Sequence, residues 1–400
     1  MIRYLKATGS DQYAALQAAI DALIASTDTV KVLVLDGLFS VSAGLVAGSR
    51  SSSVQLSIAG VGETRITYTG ARTTDPVLTL NQCSSTWGMP VMSGVAIYGA
   101  YLARGITAFR CTYADILQNV RVQNSIEVGI DFVNCWGSCT DKVKVQYGRG
   151  IAMRFTRGNT MRHTNGRVWQ MRAATHASGT TASDALADYE MVNGRAAAKT
   201  EYGEDYLEWW PAEDDETVLD FQGNPVQTPD NERAAVVVRT TNRGCQWHHL
   251  QFETNRYGDS PLVFLGDSNW GCTIKQMYVE NNYNRLEKVL VRGPTSNSRT
   301  WLYHIDTIPS QDGVTIGGVS YPSEAFLRLQ GHTGQIKVSR LMGHGYTYPV
   351  LCDGGIHEAP EIVDSRVWSP NVTDWITAVN GAVIKETAST GIGINTEIDP

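Results

Sequence analysis

The chain has 400 residues, of which 42% are hydrophobic and only 18% charged, with 38 glycines and a formal net charge of −7. A mean hydropathy of −0.19, with no stretch near the ~18 apolar residues of a spanning helix, excludes a helical membrane protein. High glycine and low charge fit a β-rich chain better than a helical one.

The N-terminus, Met1-Ile2-Arg3-Tyr4-Leu5-Lys6, has no apolar core of a signal peptide, so export by a signal peptide is not expected. Apolar residues at Leu16, Ala19, Ile20 and Leu23 predict an amphipathic helix over 11–25, with Ser10 or Asp11 as its cap. Strands follow at 30–35 and 38–41, around the turn Asp36-Gly37, and again at 57–66.

From residue 105 a coil pattern sets in. Gly105-Ile106 with Phe109, Gly129-Ile130 with Phe132, and Gly150-Ile151 with Phe155 repeat at steps of 24 and 21, and Cys111 and Cys135 are 24 apart. Short β-branched bursts at 120–122, 143–145, 236–238, 262–264, 289–291 and 335–338 read as strands of about three to five residues between Gly, Asn, Ser and Asp. Repeats of this length mark a solenoid, in which each unit buries its apolar face on its neighbour. The expectation is an all-β, right-handed parallel β-helix of roughly ten to thirteen coils with an N-terminal capping helix. Phe109, Phe132, Phe155, Phe252, Val279, Cys111 and Cys135 should lie inside. The seven cysteines read as buried thiols; no metal and no cofactor are expected.

The pattern breaks between Trp169 and Val236. Residues 201 to 232 hold 11 acidic residues and no Lys or Arg, so without them 33 basic residues would face 29 acidic ones. Segment 173–233 is therefore an excursion from one rung: a solvated loop, a groove wall carrying Tyr202, Tyr206, Trp209 and Trp210, or a subunit contact. Its charge argues against a nucleic-acid partner, which needs clustered Lys and Arg.

After it, Gln251-Phe252-Glu253-Thr254-Asn255 returns as Tyr278-Val279-Glu280-Asn281-Asn282, and Cys245 as Cys272, each 27 residues on. On adjacent coils Glu253 and Glu280 would stand roughly 4.7 to 4.9 Å apart, near the ~5 to 5.5 Å of the two carboxyls in retaining glycosidases. An outward Glu ladder is equally a solvated surface, and Asn255 and Asn282 suit a structural ladder. Asp267 and Asp306 are alternative acids or bases, and Trp247, Trp270 and Trp301, with Trp209 and Trp210, are candidate sugar-stacking residues. His248 and His249, being adjacent, would point to opposite faces of a strand.

The order of elements in residues 7 to 66, closing on Gly60-Val61-Gly62 and beginning from Thr8-Gly9-Ser10-Asp11, resembles the start of pectate-lyase-superfamily β-helices, above all bacteriophage tailspikes and related virion appendages. The resemblance implies a homotrimer on a virion, in contact with other virion proteins and a host surface polysaccharide, which it binds and in some members cleaves. A purely structural appendage and a cellular polysaccharide lyase or glycoside hydrolase are the alternatives. The implied organisation is a cap and first coils at 1–70, a body at 71–306, and last coils with a C-terminal cap or trimer contact at 307–400.

Overall fold

In a computed structural model the chain winds into a parallel β-solenoid. The structure describes residues 1–86, 88–173, 180–202, 214–219, 225–227, 234–239, 242–266, 269–293, 301–307, 314–344, 346–363, 365–368, 374–385 and 396–399. Each central coil carries three strands. The first strands, from Leu45–Gly48 to Ile376–Val379, stack in parallel as an 11-stranded sheet, one strand per turn. The second and third strands share a 16-stranded sheet and are separated by a tight corner, as in Arg162–Thr164 with Arg167–Trp169 and Gln246–His248 with Gln251–Glu253. The corner residue is left-handed on coil after coil: Asn119, Lys142, Asn165, His249 and Gln276 have φ of 51° to 60°. After glycine, asparagine tolerates that conformation best. His248 and His249 therefore do not alternate along a strand; the second of them turns the corner.

Helix α1 (Tyr13–Ala25) caps the first coil through Leu16, Ala19, Ile20 and Leu23, all buried. It starts two residues later than the spacing predicts, because Asp11 is used differently. Its carboxylate accepts the Tyr13 amide at 3.2 Å and the Ser42 hydroxyl at 2.6 Å, pinning the helix start to the end of strand Val32–Val41. The Ser42 hydroxyl is the main reason its pKa is lowered.

The interior is a set of files. Phe132 stacks on Phe155 with ring centroids 4.9 Å apart. Phe109 is not in that file. Register pairs Phe132 with Ala108, and Phe109 with Val133, so Phe109 falls one residue out of phase and points to the opposite face. There it forms a small cluster with Val133, under the guanidinium groups of Arg50 and Arg110. The third Gly-Ile is likewise out of phase: Ile130 pairs with Met153, and Ile151 with Val128. The apparent step of 21 was a misalignment of glycines; the true step there is 23.

Six of the seven cysteines are buried, and Cys139 is half-buried. Burial pushes the Cys135 thiol up, as it does Cys83, which makes both inert fillers. Two buried asparagine pairs tie successive coils. Asn255 donates to Asn282 Oδ1 at 2.8 Å, and Asn242 to Asn269 Oδ1 at 3.1 Å, each pair 27 residues apart. Their amides also bond backbone groups that the corners leave open.

The chain leaves the solenoid after Arg167–Trp169 and rejoins it at Val236–Val238. Between them are helices α2 (Thr180–Asn193) and α3 (Arg195–Tyr202) and a hairpin of Asp214–Leu219 with Pro225–Gln227. Helix α2 packs on strands Arg256–Gly258 and Tyr283–Asn284. Buried Glu190 accepts the Asp259 amide at 2.9 Å, and Asp259 accepts the Arg195 amide at 2.6 Å. Gly258 makes the docking possible: a Cβ there would lie 2.4 Å from Glu190 Cδ.

Candidate functional site

On each third strand the middle residue points inward and its neighbours outward, as the period of two requires. The inward file runs Ile97, Val122, Val145, Val168, Phe252 and Val279, all buried. One residue earlier an outward file runs Ala96, Arg121, Lys144, Arg167, Gln251 and Tyr278. One residue later a second outward file runs Tyr98, Gln123, Gln146, Trp169, Glu253 and Glu280. Arg65 and Thr67 extend the two files onto strand Ser57–Tyr68.

Glu253 and Glu280 are register partners on successive coils, so their backbones stand roughly one strand spacing, 4.7 to 4.9 Å, apart. Arg167, 86 residues away in sequence, sits one coil up and places Nη2 2.5 Å from Glu253 Oε2. The same guanidinium lies over the Trp169 ring at 4.9 Å, and Trp169 packs on Tyr147 at 5.3 Å. Tyr278 donates its hydroxyl to Glu280 Oε2 at 2.8 Å, the main reason the phenol's pKa is raised. One carboxylate is thus held by a guanidinium and the other by a phenol. The Glu253 side chain remains 20% exposed, open to a ligand.

Across the tight corner, the second strands present Asp141, Thr164, His248 and Lys275 in register. Burial, then Lys275 and Arg162, lower the His248 pKa, which favours the neutral imidazole. Helix α2 forms an edge nearby: Arg256 and Tyr283, three residues beyond Glu253 and Glu280, are register partners, and Arg256 pairs with Asp188 of α2.

The other candidates do not join this site. Trp247 is a core residue, 1% exposed and edge-on to Phe155 at 5.3 Å. Its place in the second strand is the middle, inward one, so it cannot stack on a sugar. Trp270 and Trp301 are register partners at the starts of strands Trp270–Glu280 and Trp301–Thr307. Asp306 pairs with Ser339 on the latter. The side chains of these three lie outside the described residues, as do Asp267, Trp209 and Trp210 entirely. Trp169 and Arg167 were missed because the excursion separates them from the coil they stack on, which destroys the 27-residue offset. Among the described residues no group of three or more His, Cys, Asp or Glu is placed to hold a metal. No described helix is long and apolar enough to cross a membrane.

No family model and no curated protein matches the sequence. Solved structures do match in fold. Endo-xylogalacturonan hydrolase from Aspergillus tubingensis aligns with 96% of this chain and 100% of its own at 11% identity and a TM-score of 0.53. Tailspike protein 2 of Escherichia coli O157:H7 bacteriophage CAB120 aligns with 94% of this chain at 11% identity and a TM-score of 0.52. The Agl-KA catalytic domain does so with 94% at 9% identity and a TM-score of 0.50. The chain spans 66% of the Agl-KA domain and 44% of the tailspike. At these identities the likeness is one of fold: a parallel β-helix.

Proposed function

We propose that this protein lays a linear polysaccharide along the outward files of its third strands, with Glu253 and Glu280 as the reacting pair if the glycan is cleaved. The observation that carries the reading is the register alignment, on one face of consecutive coils, of cations, aromatic rings and paired carboxylates. A repeating polymer is best met by a repeating surface whose polar groups are fixed by the fold and whose rings offer apolar faces to sugars. Among proteins of this fold, one is a xylogalacturonan hydrolase and another a phage tailspike.

The finer proposal is a phage tailspike or receptor-binding protein. It would be assembled in the host bacterial cytoplasm, carried on the virion as a homotrimer beside other virion proteins, and directed at a host surface polysaccharide. The order of elements in residues 7 to 66 supports it, as does the fold shared with a tailspike. Neither nucleic acid nor membrane insertion belongs to this reading.

The test is oligosaccharide release and binding on capsule and lipopolysaccharide from candidate hosts. Glu253→Gln and Glu280→Gln should each lower turnover by ~10² to 10⁴ while binding survives. Binding without release by the unaltered protein makes it an adhesin, and no binding to any glycan leaves a structural appendage. A stable monomer at micromolar concentration in sedimentation would count against the trimer.

A further inference from the structure

Toward the N-terminal coils the same face changes sign. A groove of about 200 Å³ follows the corner between second and third strands, and Arg65, Arg121, Lys142 and Lys144 line it against a single carboxylate, Glu63. Among the described residues none of these four cations is in an ion pair, whereas Arg167, the next in the file, is neutralised by Glu253.

Three details give the cations the form of a site. Register places Ala96 between Arg65 and Arg121 in the outward file, so only a methyl lies between two arginines whose backbones are roughly 9 to 10 Å apart, two coil spacings. Gly94, also in the groove, adds no side chain to that gap. Arg65 lies over the Tyr98 ring at 5.3 Å, and its Nε is buried without an acceptor.

Resting on the reading proposed above, we infer that the bound glycan is acidic, a polyuronate whose carboxylates are taken up by Arg65, Arg121 and Lys144. Guanidinium groups match carboxylates in geometry as well as charge. The polymer would run from this cationic stretch toward Glu253 and Glu280, where its own acids would be repelled, so the residues at the carboxylate pair are neutral or esterified. A single-stranded nucleic acid is the competing polyanion, and the test below separates the two.

The experiment compares affinities for polyglucuronate, polygalacturonate and polymannuronate, each paired with its carboxyl-reduced counterpart, and for a single-stranded oligodeoxynucleotide. At least one polyuronate should bind tenfold or more tighter than its reduced form, with the advantage shrinking as salt is raised. Arg121→Ala with Lys144→Ala should abolish that advantage, so that within the variant the acid and reduced forms bind alike; circular dichroism would confirm the fold, since Arg121 is exposed and Lys144 only half-buried. Equal binding of acid and reduced forms, an advantage that survives in the double variant, or tighter binding of the oligonucleotide would each overturn the inference. If no polymer binds in either form, the polysaccharide reading itself fails and this one falls with it.

Discussion

Phe252 and Glu253 are adjacent in sequence yet belong to different parts of the molecule. Phe252 is fully buried, held above by Val168 and below by Val279, while Glu253 opens outward between Trp169 and Glu280. The same split separates Val168 from Trp169 and Val279 from Glu280. What differs is the constraint. An inward residue must fit the coil above and the coil below, so the fold dictates its character. An outward residue has no such obligation, and a file of cations, rings and acids there calls for another cause. Parity along the strand therefore decides whether a substitution attacks the fold or the chemistry.

The largest effect of breaking an inward file is expected at Trp247→Ala. The indole fills the interior against Phe155 and between His163 and Ile274, and emptying such a site costs ~3–5 kcal/mol. Chemical denaturation should register that loss. Trp169→Ala, the same change on an outward file, should leave stability within about 1 kcal/mol and weaken glycan binding. Equal destabilisation by the two would end the distinction.

The next effect depends on pH. His163 lies in the interior file between Thr140 and Trp247, and burial, only partly opposed by Asp141, lowers its pKa from 6.5 to about 4. Folding thus favours the neutral ring. Its contribution is complete above the unfolded value of 6.5 and is lost as pH falls toward 4, in all roughly 3 kcal/mol. Glu287 works in the other direction. Burial outweighs Arg328 and raises its carboxyl from 4.5 to about 7, so its contribution is complete below 4.5 and lost as pH rises through about 7. The difference in acid sensitivity between wild type and His163→Gln isolates the histidine: the variant should show a flatter fall between pH 6.5 and 4.

Much of the fold was legible because inward files repeat. Phe252 and Val279, with the asparagines beyond them, gave a 27-residue offset that register confirms. The α1 face was equally plain from its spacing. The sequence misled where a glycine or phenylalanine was matched by type and not by phase, as at Phe109 and Gly150. The outward files were legible only in part. Glu253 and Glu280 came with the repeat, but Arg167 and Trp169 did not, since the detour puts 84 residues (251 − 167) between register partners. The cationic stretch at Arg65, Arg121 and Lys144 was invisible too: its members are spread over four coils of unequal length, and only stacking gathers them.

Between core and surface lies the asparagine ladder, where an intermediate effect is expected. Asn282 is buried, and its Oδ1 accepts both the backbone amide and the side-chain amide of Asn255, at 3.1 and 2.8 Å. Asn282→Ala would leave the Asn255 backbone amide without its acceptor and its side-chain amide with the Val168 carbonyl alone, a loss of about 1–3 kcal/mol. Hydrogen exchange at the Asn255 amide should quicken in proportion.

The smallest effect on stability is expected where the largest effect on function is sought. Glu253 shares its ion pair with Arg167 at the surface, the two side chains being 20% and 30% exposed, and exposed pairs of this kind contribute ~0.2–1 kcal/mol. Glu253→Gln keeps the shape of the side chain and can still accept from Arg167, so the unfolding midpoint should move little. That near-neutrality is what makes the substitution informative. A fall in oligosaccharide release with unfolding unchanged assigns the carboxylate to chemistry, because no structural debt is left to explain the loss. A drop in stability comparable to Trp247→Ala would instead place Glu253 with the inward residues in its energetic role, and the carboxylate pair would then belong to the scaffold.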